Sequence, residues 1–459
     1  MLIHPSDNVE IRADGQKYAL APIAAGADVL KYGFPIGKAK VDIAKGEFIS
    51  PHNLASKLSG LGDWTYTPFT PADKTLREGT FMGYRRKNGD VGIRNEIWII
   101  PTVGCINGVV QKLAAMTGAK ALTHPHGCSQ LGGDLHTTQQ ILRGLILHPN
   151  AGGVLVLGLG CENNGMGEML KVLDNKYDPD RVRFLNLQEC EDEYEEALAI
   201  LEELKAQADK DVRVPVSVGE LRVAVKCGGS DGLSGLTANP LVGKTMDLFD
   251  TYGSTILMTE IPEVFGAEQI LLGRSNSEET FEAAAGMIRA FRQYFYDHGE
   301  GIADNPSPGN IAGGISTLEE KSLGCVQKGG KVTLCGALQF GEQPPAKGGL
   351  YMVNGPGNDQ VAITNLTAAG AHLILFTTGR GTPLSAPVPT LKVSTNTALY
   401  EKKPHWIDFN AGELWNGADA DETTNALFEL CIKTAEGQQT KAEEKGFYDI
   451  AIFKDGVTL

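Results

Sequence analysis

The chain alternates short apolar runs with longer amphipathic segments over most of its length, and this alternation limits the folds that it can adopt. The apolar runs include 96–103, 154–159 and 221–225, and the segments with helical periodicity include 134–147 and 277–296. Strands that alternate with helices assemble into parallel sheets covered by helices on both faces. The sequence therefore predicts an α/β fold with doubly wound, largely parallel sheets.

The N-terminal part of the chain lacks this pattern and predicts a separate small domain. Residues 1–58 contain short apolar runs broken by Gly and Pro, without a helical segment, which favours a β-rich domain. Residues 59–79 have little periodicity and two Thr–Pro turns, as expected of a linker. A charged stretch at 206–215 interrupts the alternation, so we expect a central α/β domain over 80–213 and a C-terminal α/β domain over 214–459.

Composition and charge exclude several classes of function. The chain has 459 residues, of which 42% are hydrophobic, and this is enough to build ordinary cores. A net charge of -15 would repel nucleic acid from most of the surface. No apolar run approaches the length of a membrane span and the N-terminus lacks secretory features, so we expect no membrane partner and a cytoplasmic location. A small acidic substrate stays compatible, because local arginines and helix N-termini can bind it.

Eight cysteines in a chain without a secretory signal are interpreted as thiols. Four of them lie in or beside predicted helices and strands and are assigned to packing, namely Cys190, Cys325, Cys335 and Cys431. The other four each follow a short apolar run that ends in a turn, namely Cys105, Cys128, Cys161 and Cys227. Ligands of open parallel sheets bind beyond the carboxyl ends of the strands, so we expect these four thiols at the functional edge.

The loop CGGSDGLSGLTANP at 227–240 is much longer than a simple strand-to-helix connection requires, and loops of this kind are usually sites. The loop GLGCENNG at 158–165 lacks the GxGxxG spacing of a dinucleotide-binding loop, and the chain has no GxxxxGK[ST] phosphate loop. Thiols and the histidines of THPHGC at 123–128 are instead ligands that suit zinc or iron in a Lewis-acid site. Because no two of these cysteines form a CxxC pair, structural thiols remain the alternative.

Several long segments carry a resemblance to a known family. They are GDVGIRNEIWIIPTVGCING at 89–108, HGCSQLGGD at 126–134, HPNAGGVLVLGLGCENN at 148–164, CGGSDGLSGLTANP at 227–240 and NPSPGNIAGGISTLEEKSLGC at 305–325. Through them the chain resembles the galactarate and altronate dehydratase family nearly end to end. HPSDNV at 4–9 and KYGFPIGKA at 31–39 resemble the SAF domain of that family, which is a small β-clip fold.

The resemblance implies a hydro-lyase that removes water from a six-carbon sugar acid. PTVGCING and FKDGVTL look more like altronate than galactarate dehydratases. The expected substrate is therefore D-altronate and the expected product 2-keto-3-deoxy-D-gluconate, with galactarate or another sugar acid as the alternative. The implied cofactor is Fe²⁺, or Mn²⁺ in its place, because a cation on the substrate carboxylate would stabilise the enediolate formed when the C2 proton is removed. A homodimer is the expected assembly.

The same resemblance suggests which cysteines bind the metal and which histidine acts as a base or ligand. Cys128, Cys161 and Cys227 are expected to hold the metal, with Cys105 as a fourth ligand, and either a single ferrous ion or a [4Fe-4S] cluster with one open iron would fit. His124 precedes Cys128 by four residues, as in the family motif, and is a candidate base or ligand, with a hydrogen-bonded structural histidine as the alternative.

Two positions depart from the family pattern. His126 stands where the family usually has tyrosine, and Gln16 stands where relatives have histidine. If that histidine binds metal or moves protons in relatives, His4, His126 or a water must replace it in this chain.

Substrate contacts are expected from an arginine and from polar loop residues. Arg380 lies between glycines at a predicted strand end, where its planar fork would bind a carboxylate through two hydrogen bonds. Arg94 with Asn95, and Ser230 with Asp231, are further candidates. Two rival classes stay open at this stage: a redox iron–sulfur protein, and a sugar-acid binding protein without catalysis.

Overall fold

The N-terminal domain is small and built of strands, as predicted. The computed structural model describes residues 4–12, 14–71, 75–303 and 305–457. Six short strands form two three-stranded antiparallel sheets, with orders β1-β2-β5 and β3-β4-β6. Their bounds are β1 Val9–Ile11, β2 Lys17–Ala19, β3 Asp28–Lys31, β4 Phe34–Ala39, β5 Phe48–Ile49 and β6 Leu54–Ala55.

The segment after this domain holds no helix or strand over residues 59–71 and 75–79. Two strands, β7 Thr80–Arg85 and β8 Val91–Gly92, then pair as an antiparallel ribbon at the start of the central domain.

The central domain is a doubly wound parallel sheet with strand order β10-β9-β11-β12. Alternate residues of β9 face opposite sides, so Ile99 packs in one core cluster while Trp98 and Ile100 pack in another. The elements are β9 Glu96–Pro101, α1 Asn107–Thr117, β10 Lys120–Ala121, α2 Gly132–Ile146, β11 Ala151–Gly158, α3 Met166–Leu173, β12 Val182–Asn186 and α4 Glu193–Ala208.

A short strand, β13 Val214–Ser217, returns to pair antiparallel with β7 before the C-terminal domain begins. The larger sheet that follows has seven parallel strands in the order β16-β17-β15-β14-β18-β19-β20. The fold class predicted from the sequence is thus confirmed.

The strands of the C-terminal domain are β14 Arg222–Cys227, β15 Thr255–Met258, β16 Leu334–Leu338, β17 Gly349–Val353, β18 Leu373–Thr378, β19 Thr390–Ser394 and β20 Phe409–Asn410. Its helices are α5 Ala238–Thr251, α6 Glu268–Leu272, α7 Glu278–Asp297, α8 Pro308–Ala312, α9 Leu318–Cys325, α10 Asp359–Ala368, α11 Thr397–Lys402 and α12 Ala420–Ala435. No helix of the described residues is both long and apolar enough to cross a membrane.

The two parallel sheets share a core, which the sequence pattern did not reveal. Helices α2 and α10 pack against each other, and one apolar cluster combines Ile100 and Val156 of the central sheet with Ile374 and Phe376 of the C-terminal sheet. Gly144 of α2 lies against the backbone of α10, where a side chain would collide with a carbonyl oxygen.

Buried charges join the N-terminal domain to the C-terminal domain. Lys17 and Lys31 place their Nζ atoms 2.9 Å and 2.8 Å from the carboxylate of Glu320 on α9, and these side chains are at most 1% exposed. Buried charges destabilise a fold strongly unless they are paired. Docking of the small domain therefore depends on Glu320.

Replacing Glu320 by Gln would leave two buried lysines without a negative partner, so we expect the free energy of unfolding to fall by about 3–5 kcal/mol. Glu10→Gln, which breaks an exposed pair with Arg12, should change it by less than about 1 kcal/mol. Urea denaturation followed by circular dichroism measures both, and equal losses would contradict the docking role.

The ion pairs of Glu320 with Lys17 and Lys31 predict that the free energy of unfolding depends on pH. Although burial raises the pKa of Glu320, Lys17 and Lys31 lower it to about 2. Its stabilising contribution is therefore present above the pKa of an unfolded glutamate, about 4.3, and is lost as the pH falls toward 2. Over that interval Glu320→Gln should lose less stability than the wild type.

Candidate functional site

A cleft of about 920 Å³ opens at the carboxyl ends of the C-terminal strands, where ligands of parallel sheets bind. Its floor comes from the loops that follow β14, β15, β17 and β18, which contribute Gly228 and Gly229, Glu263, Asp359 and Arg380 respectively. The remaining walls include Tyr294 of α7, Asn305, Lys321 of α9, and Asp449 and Phe453 of the C-terminal segment.

Two thiols and a carboxylate meet beneath this cleft. Cys227 Sγ lies 3.3 Å from Cys325 Sγ, and each sulfur lies 3.2 Å from Oε2 of Glu263. Cys227 ends β14, Glu263 follows β15 and Cys325 ends α9, and all three are buried. Within the described residues, this is the group of His, Cys, Asp and Glu ligand atoms close enough together to hold a metal ion.

Three buried lysines surround this group. Lys226 contacts Glu260 at 2.7 Å and Asp359 at 2.5 Å, and Lys328 contacts Glu260 at 3.4 Å. Lys321 contacts Glu263 at 2.7 Å. Burial lowers the pKa of each lysine, but the acidic and thiol neighbours outweigh burial and raise it above its usual value.

Glu260 has an unusual backbone conformation, with φ 71° in the left-handed region, which is uncommon for a residue other than glycine. Its carboxylate accepts a hydrogen bond from the backbone N–H of Cys227 at 3.0 Å in addition to the two lysine contacts. These partners hold the strained backbone, and strain of this kind is concentrated at functional sites.

The charges of the group fit a divalent cation. With both thiols protonated, the three lysines balance Glu260, Glu263 and Asp359. Hydrogen bonding to Cys227 and burial raise the pKa of Cys325, which favours the protonated thiol when no metal is bound. Loss of two thiol protons would leave two negative charges, which one divalent ion would neutralise. Thiolate and carboxylate donors suit a transition metal such as iron, zinc or manganese.

The four cysteines predicted as metal ligands lie in two separate places in the structure. Cys227 lies in the buried group, but its neighbours are Glu263 and Cys325 rather than Cys128 and Cys161. Cys325 was assigned to packing from the sequence. The physical reason is that each parallel sheet has its own carboxyl edge, and Cys227 belongs to the C-terminal sheet.

Cys105, Cys128 and Cys161 are exposed on three loops at the edge of the central sheet. These loops are in contact, because the N–H of Gly104 donates to the carbonyl of His126 and the N–H of Asn164 donates to the carbonyl of Gly127. A joint role for these three thiols stays a prediction.

The histidines proposed for catalysis lie outside the cleft. His124 is buried, its Nε2 donates to the carbonyl of Pro101 at 2.8 Å, and its Nδ1 accepts from the N–H of His126 at 3.2 Å. Burial lowers the pKa of His124 to about 4. Both ring nitrogens are engaged, as the structural alternative requires, and a role as base or ligand stays a prediction.

His126 and His4 also have local roles. His126 hydrogen-bonds the backbone of Ile452 in the C-terminal segment, and burial lowers its pKa. His4 is exposed, and its Nδ1 lies 2.7 Å from Oγ of Ser6. Gln16 faces Gly314, beside the turn where Gly15 touches Gly232 of the long loop. The N-terminal domain thus reaches the loop after β14 but does not place His4 in the cleft.

Arg380 is the predicted substrate residue that the structure places in the cleft. It is exposed there, and its backbone N–H donates to the carbonyl of Gly229 at 3.0 Å. No hydrogen bond or ion pair from its guanidinium to another described residue is formed, so the fork is free to bind an anion.

Arg94 and Asn95, predicted as substrate contacts, lie outside the cleft and bind protein groups. Arg94 is buried and all its N–H groups bind protein, including a bidentate pair with Glu443 at 2.8 Å and 3.0 Å. Asn95 accepts from Arg86 and donates to the carbonyl of Ala208. Both residues precede β9 and therefore lie at the amino edge of the central sheet, opposite to the ligand edge.

Ser230 and Asp231 lie behind the cleft rather than on its surface. Asp231 accepts hydrogen bonds from the N–H of Leu233 and from the side chains of Ser234, Thr395 and Asn396. Burial raises the pKa of Asp231 despite these bonds. The carbonyl of Ser230 accepts from Asn310 at 2.9 Å. These hydrogen bonds fix the conformation of the loop, and a direct contact of either residue with substrate stays a prediction.

The charged members of the site were not predicted from the sequence, although their positions follow a pattern. Lys226 interrupts the apolar strand LRVAV, Glu260 follows TILMT, and Asp359 follows YMVNGPGN. Lys226 and Glu260 stand at the carboxyl ends of buried strands, as the cysteines do, and Asp359 begins the helix that follows such a strand. The strand-end rule applied to cysteines alone was therefore too narrow.

Comparison with known proteins adds independent information. Three family models match consecutive parts of the chain: the altronate/galactarate dehydratase SAF domain over 3–57, the second domain of D-galactarate dehydratase/altronate hydrolase over 83–209, and the C-terminal domain of D-galactarate/altronate dehydratase over 218–458.

Individual relatives align over nearly the full chain. An altronate dehydratase of Bacillus subtilis (strain 168) is 47% identical, with 98% of this chain and 94% of that protein aligned. An altronate dehydratase of Escherichia coli (strain K12) is 45% identical, with 99% and 94% aligned. A galactarate dehydratase (L-threo-forming) of Escherichia coli (strain K12) is 31% identical, with 97% and 90% aligned.

The geometry of the buried group makes a prediction about metal content. Cys325→Ser and Cys227→Ser should each lower the iron retained after anaerobic loading with Fe²⁺ and gel filtration by about ten-fold or more, because each removes a thiolate ligand. Cys431→Ser, a buried cysteine of α12 outside the group, should retain iron and lose stability on the order of 1 kcal/mol. If Cys128→Ser and Cys161→Ser lower iron content while Cys325→Ser does not, the ligands are those predicted from the sequence.

Proposed function

The chain belongs to the D-galactarate/altronate dehydratase family and is a hydro-lyase, and on that premise we propose that it converts D-altronate into 2-keto-3-deoxy-D-gluconate. The observation that carries the choice of substrate is the higher identity to relatives named altronate dehydratase, 45% and 47%, than to the galactarate dehydratase, 31%. Galactarate is the alternative substrate.

Two positively charged side chains line the cleft and can bind an acidic substrate, although the protein as a whole has a negative net charge. The free guanidinium of Arg380 is placed to bind the carboxylate through two hydrogen bonds. Lys321 lines the same cleft, where its Nζ lies 2.7 Å from Glu263 and 3.3 Å from Oδ1 of Asn305. A protonated Lys321 stabilises negative charge that develops on the substrate and can protonate a leaving hydroxyl.

We propose that Cys227, Glu263 and Cys325 hold the metal ion, and that this ion is Fe²⁺, with Mn²⁺ as the alternative. The support is the donor set and the charge balance around it. A bound ion of this kind supplies Lewis acidity toward substrate oxygens. A [4Fe-4S] cluster on Cys105, Cys128 and Cys161 is the competing arrangement, and a visible absorption spectrum of the iron-loaded protein separates the two. The homodimer and the cytoplasmic location expected from the sequence also stay predictions.

The proposed reaction is tested by identifying the product and the source of the new hydrogen at its C3. The iron-loaded protein should form 2-keto-3-deoxy-D-gluconate from D-altronate, and in D₂O the product should carry deuterium at C3, because that carbon receives its new hydrogen from solvent when the enol tautomerises. Mass spectrometry and NMR measure both. Faster turnover of galactarate would change the substrate assignment, whereas transfer of electrons to an acceptor would refute the dehydratase.

The proposed carboxylate contact is tested at Arg380. Arg380→Lys keeps the charge but loses the bidentate fork, so KM for D-altronate should rise by about 10- to 100-fold with a smaller change in kcat. Arg85→Lys, at an exposed pair with Glu220 outside the cleft, is the control and should leave KM unchanged. An unchanged KM in Arg380→Lys would exclude the contact.

A further inference from the structure

Asp359 exposes its carboxylate to the cleft while a buried lysine holds that carboxylate from behind. It is the first residue of α10, its side chain is 38% exposed, and its Oδ1 lies 2.5 Å from Nζ of Lys226, which is fully buried. Lys226 is held in turn by Oε1 of Glu260 at 2.7 Å. A carboxylate at the surface of the cleft is thus fixed from behind by a buried cation that cannot itself reach a ligand.

The backbone beside Asp359 leaves room for a substrate. A side chain at Gly228 would place its Cβ 2.7 Å from Oδ2 of Asp359, and one at Gly229 would place its Cβ 3.2 Å from Cβ of Arg380. Asp359 and Arg380 therefore flank two consecutive glycines, which are about 3.8 Å apart along the chain. A 2-hydroxy acid held by Arg380 through its carboxylate would therefore lie in the cleft that Asp359 also lines.

The other ionisable groups near the cleft are less suited to accept a proton from carbon. Asp449 also lines the cleft, but its carboxylate accepts from the N–H of Ile450 at 3.0 Å and forms no ion pair with a described residue that would fix its orientation as Lys226 fixes Asp359. Glu263 is buried, paired with Lys321 and belongs to the thiol group. The Nζ of Lys321 is already engaged as a donor, to Glu263 at 2.7 Å and to Oδ1 of Asn305 at 3.3 Å. His124, His126 and His4 lie outside the cleft. Asp359 combines exposure to the cleft with a fixed orientation, as a general base requires.

We propose that Asp359 is the general base that removes the C2 proton and that Lys226 is its positioning residue. This inference rests on the proposed function. The carboxylate of Asp359 takes the proton from C2, and the electron pair of that C–H bond forms the C2–C3 double bond as the C3–O bond breaks. The hydroxyl leaves as water with a proton from solvent. The enol then tautomerises to the 2-keto acid, and Asp359 releases its proton to solvent.

The decisive variant is Asp359→Asn, which preserves the size of the side chain and removes its basicity. We expect kcat to fall by about 10²- to 10⁴-fold, with KM changed by less than about 3-fold, because Arg380 still binds the carboxylate. The matched control is Asp421→Asn, in which an aspartate in the first turn of α12, paired with Lys244 at 3.3 Å outside the cleft, is altered in the same way. Its kcat should equal that of the wild type.

Chemical rescue separates a base from a structural residue. In Asp359→Gly, added formate or acetate should raise kcat at least ten-fold over that of the variant alone, since a small carboxylate can occupy the vacated space. The rescued reaction should be slower with C2-deuterated D-altronate. Iron content and thermal stability are measured in parallel to show that the variant is folded and loaded.

The outcomes distinguish the two levels of the proposal. If wild-type protein dehydrates no sugar acid, the proposed function fails. If the wild type is active and Asp359→Asn retains more than about a tenth of its kcat, Asp359 is not the base. A folded, iron-loaded Asp359→Gly that no carboxylate rescues would also overturn the assignment.

Discussion

The balance of buried charge at the ends of β14 and β15 is the constraint on which the rest of the site depends. Lys226, Lys321 and Lys328 would be strongly destabilising in a protein interior without partners. Glu260 and Glu263 provide the partners, and their positions also fix Cys227 and Cys325. The same ion pairs thus allow lysines to be buried, hold two thiols beside a carboxylate and leave an arrangement that a divalent cation completes.

Helix α9 connects this site to the N-terminal domain. Consecutive residues of the helix face different partners: Glu319 accepts from Ser56 and the backbone of Lys57, Glu320 binds Lys17 and Lys31, and Lys321 binds Glu263. Cys325 ends the same helix. Docking of the small domain therefore orients the helix that supplies an ammonium group to the cleft and a thiol to the buried group. This gives the domain a physical role even though it contributes no histidine to the cleft.

The strand-end cysteines show how far pattern analysis reached. Periodicity predicted the α/β class, the small β-rich domain and the location of ligand-binding loops, because alternation of strand and helix is a local property of the chain. The same rule placed Cys227 and Arg380 at the correct edge of a sheet. It also gathered Cys105, Cys128, Cys161 and Cys227 at one edge, although the chain builds two sheets with separate edges.

The sequence by itself determined the class of fold, the loops that carry chemistry and, through family resemblance, the reaction. The tertiary structure alone decided which residues meet. Cys325, Glu263 and Lys321 come from segments far from Cys227 in the chain, and Asp359 follows a different strand of the same sheet. Hydrogen bonds and ion pairs between such segments depend on strand order and on helix packing. Local periodicity contains no information about either, because the same alternation is compatible with many orders of strands in a parallel sheet.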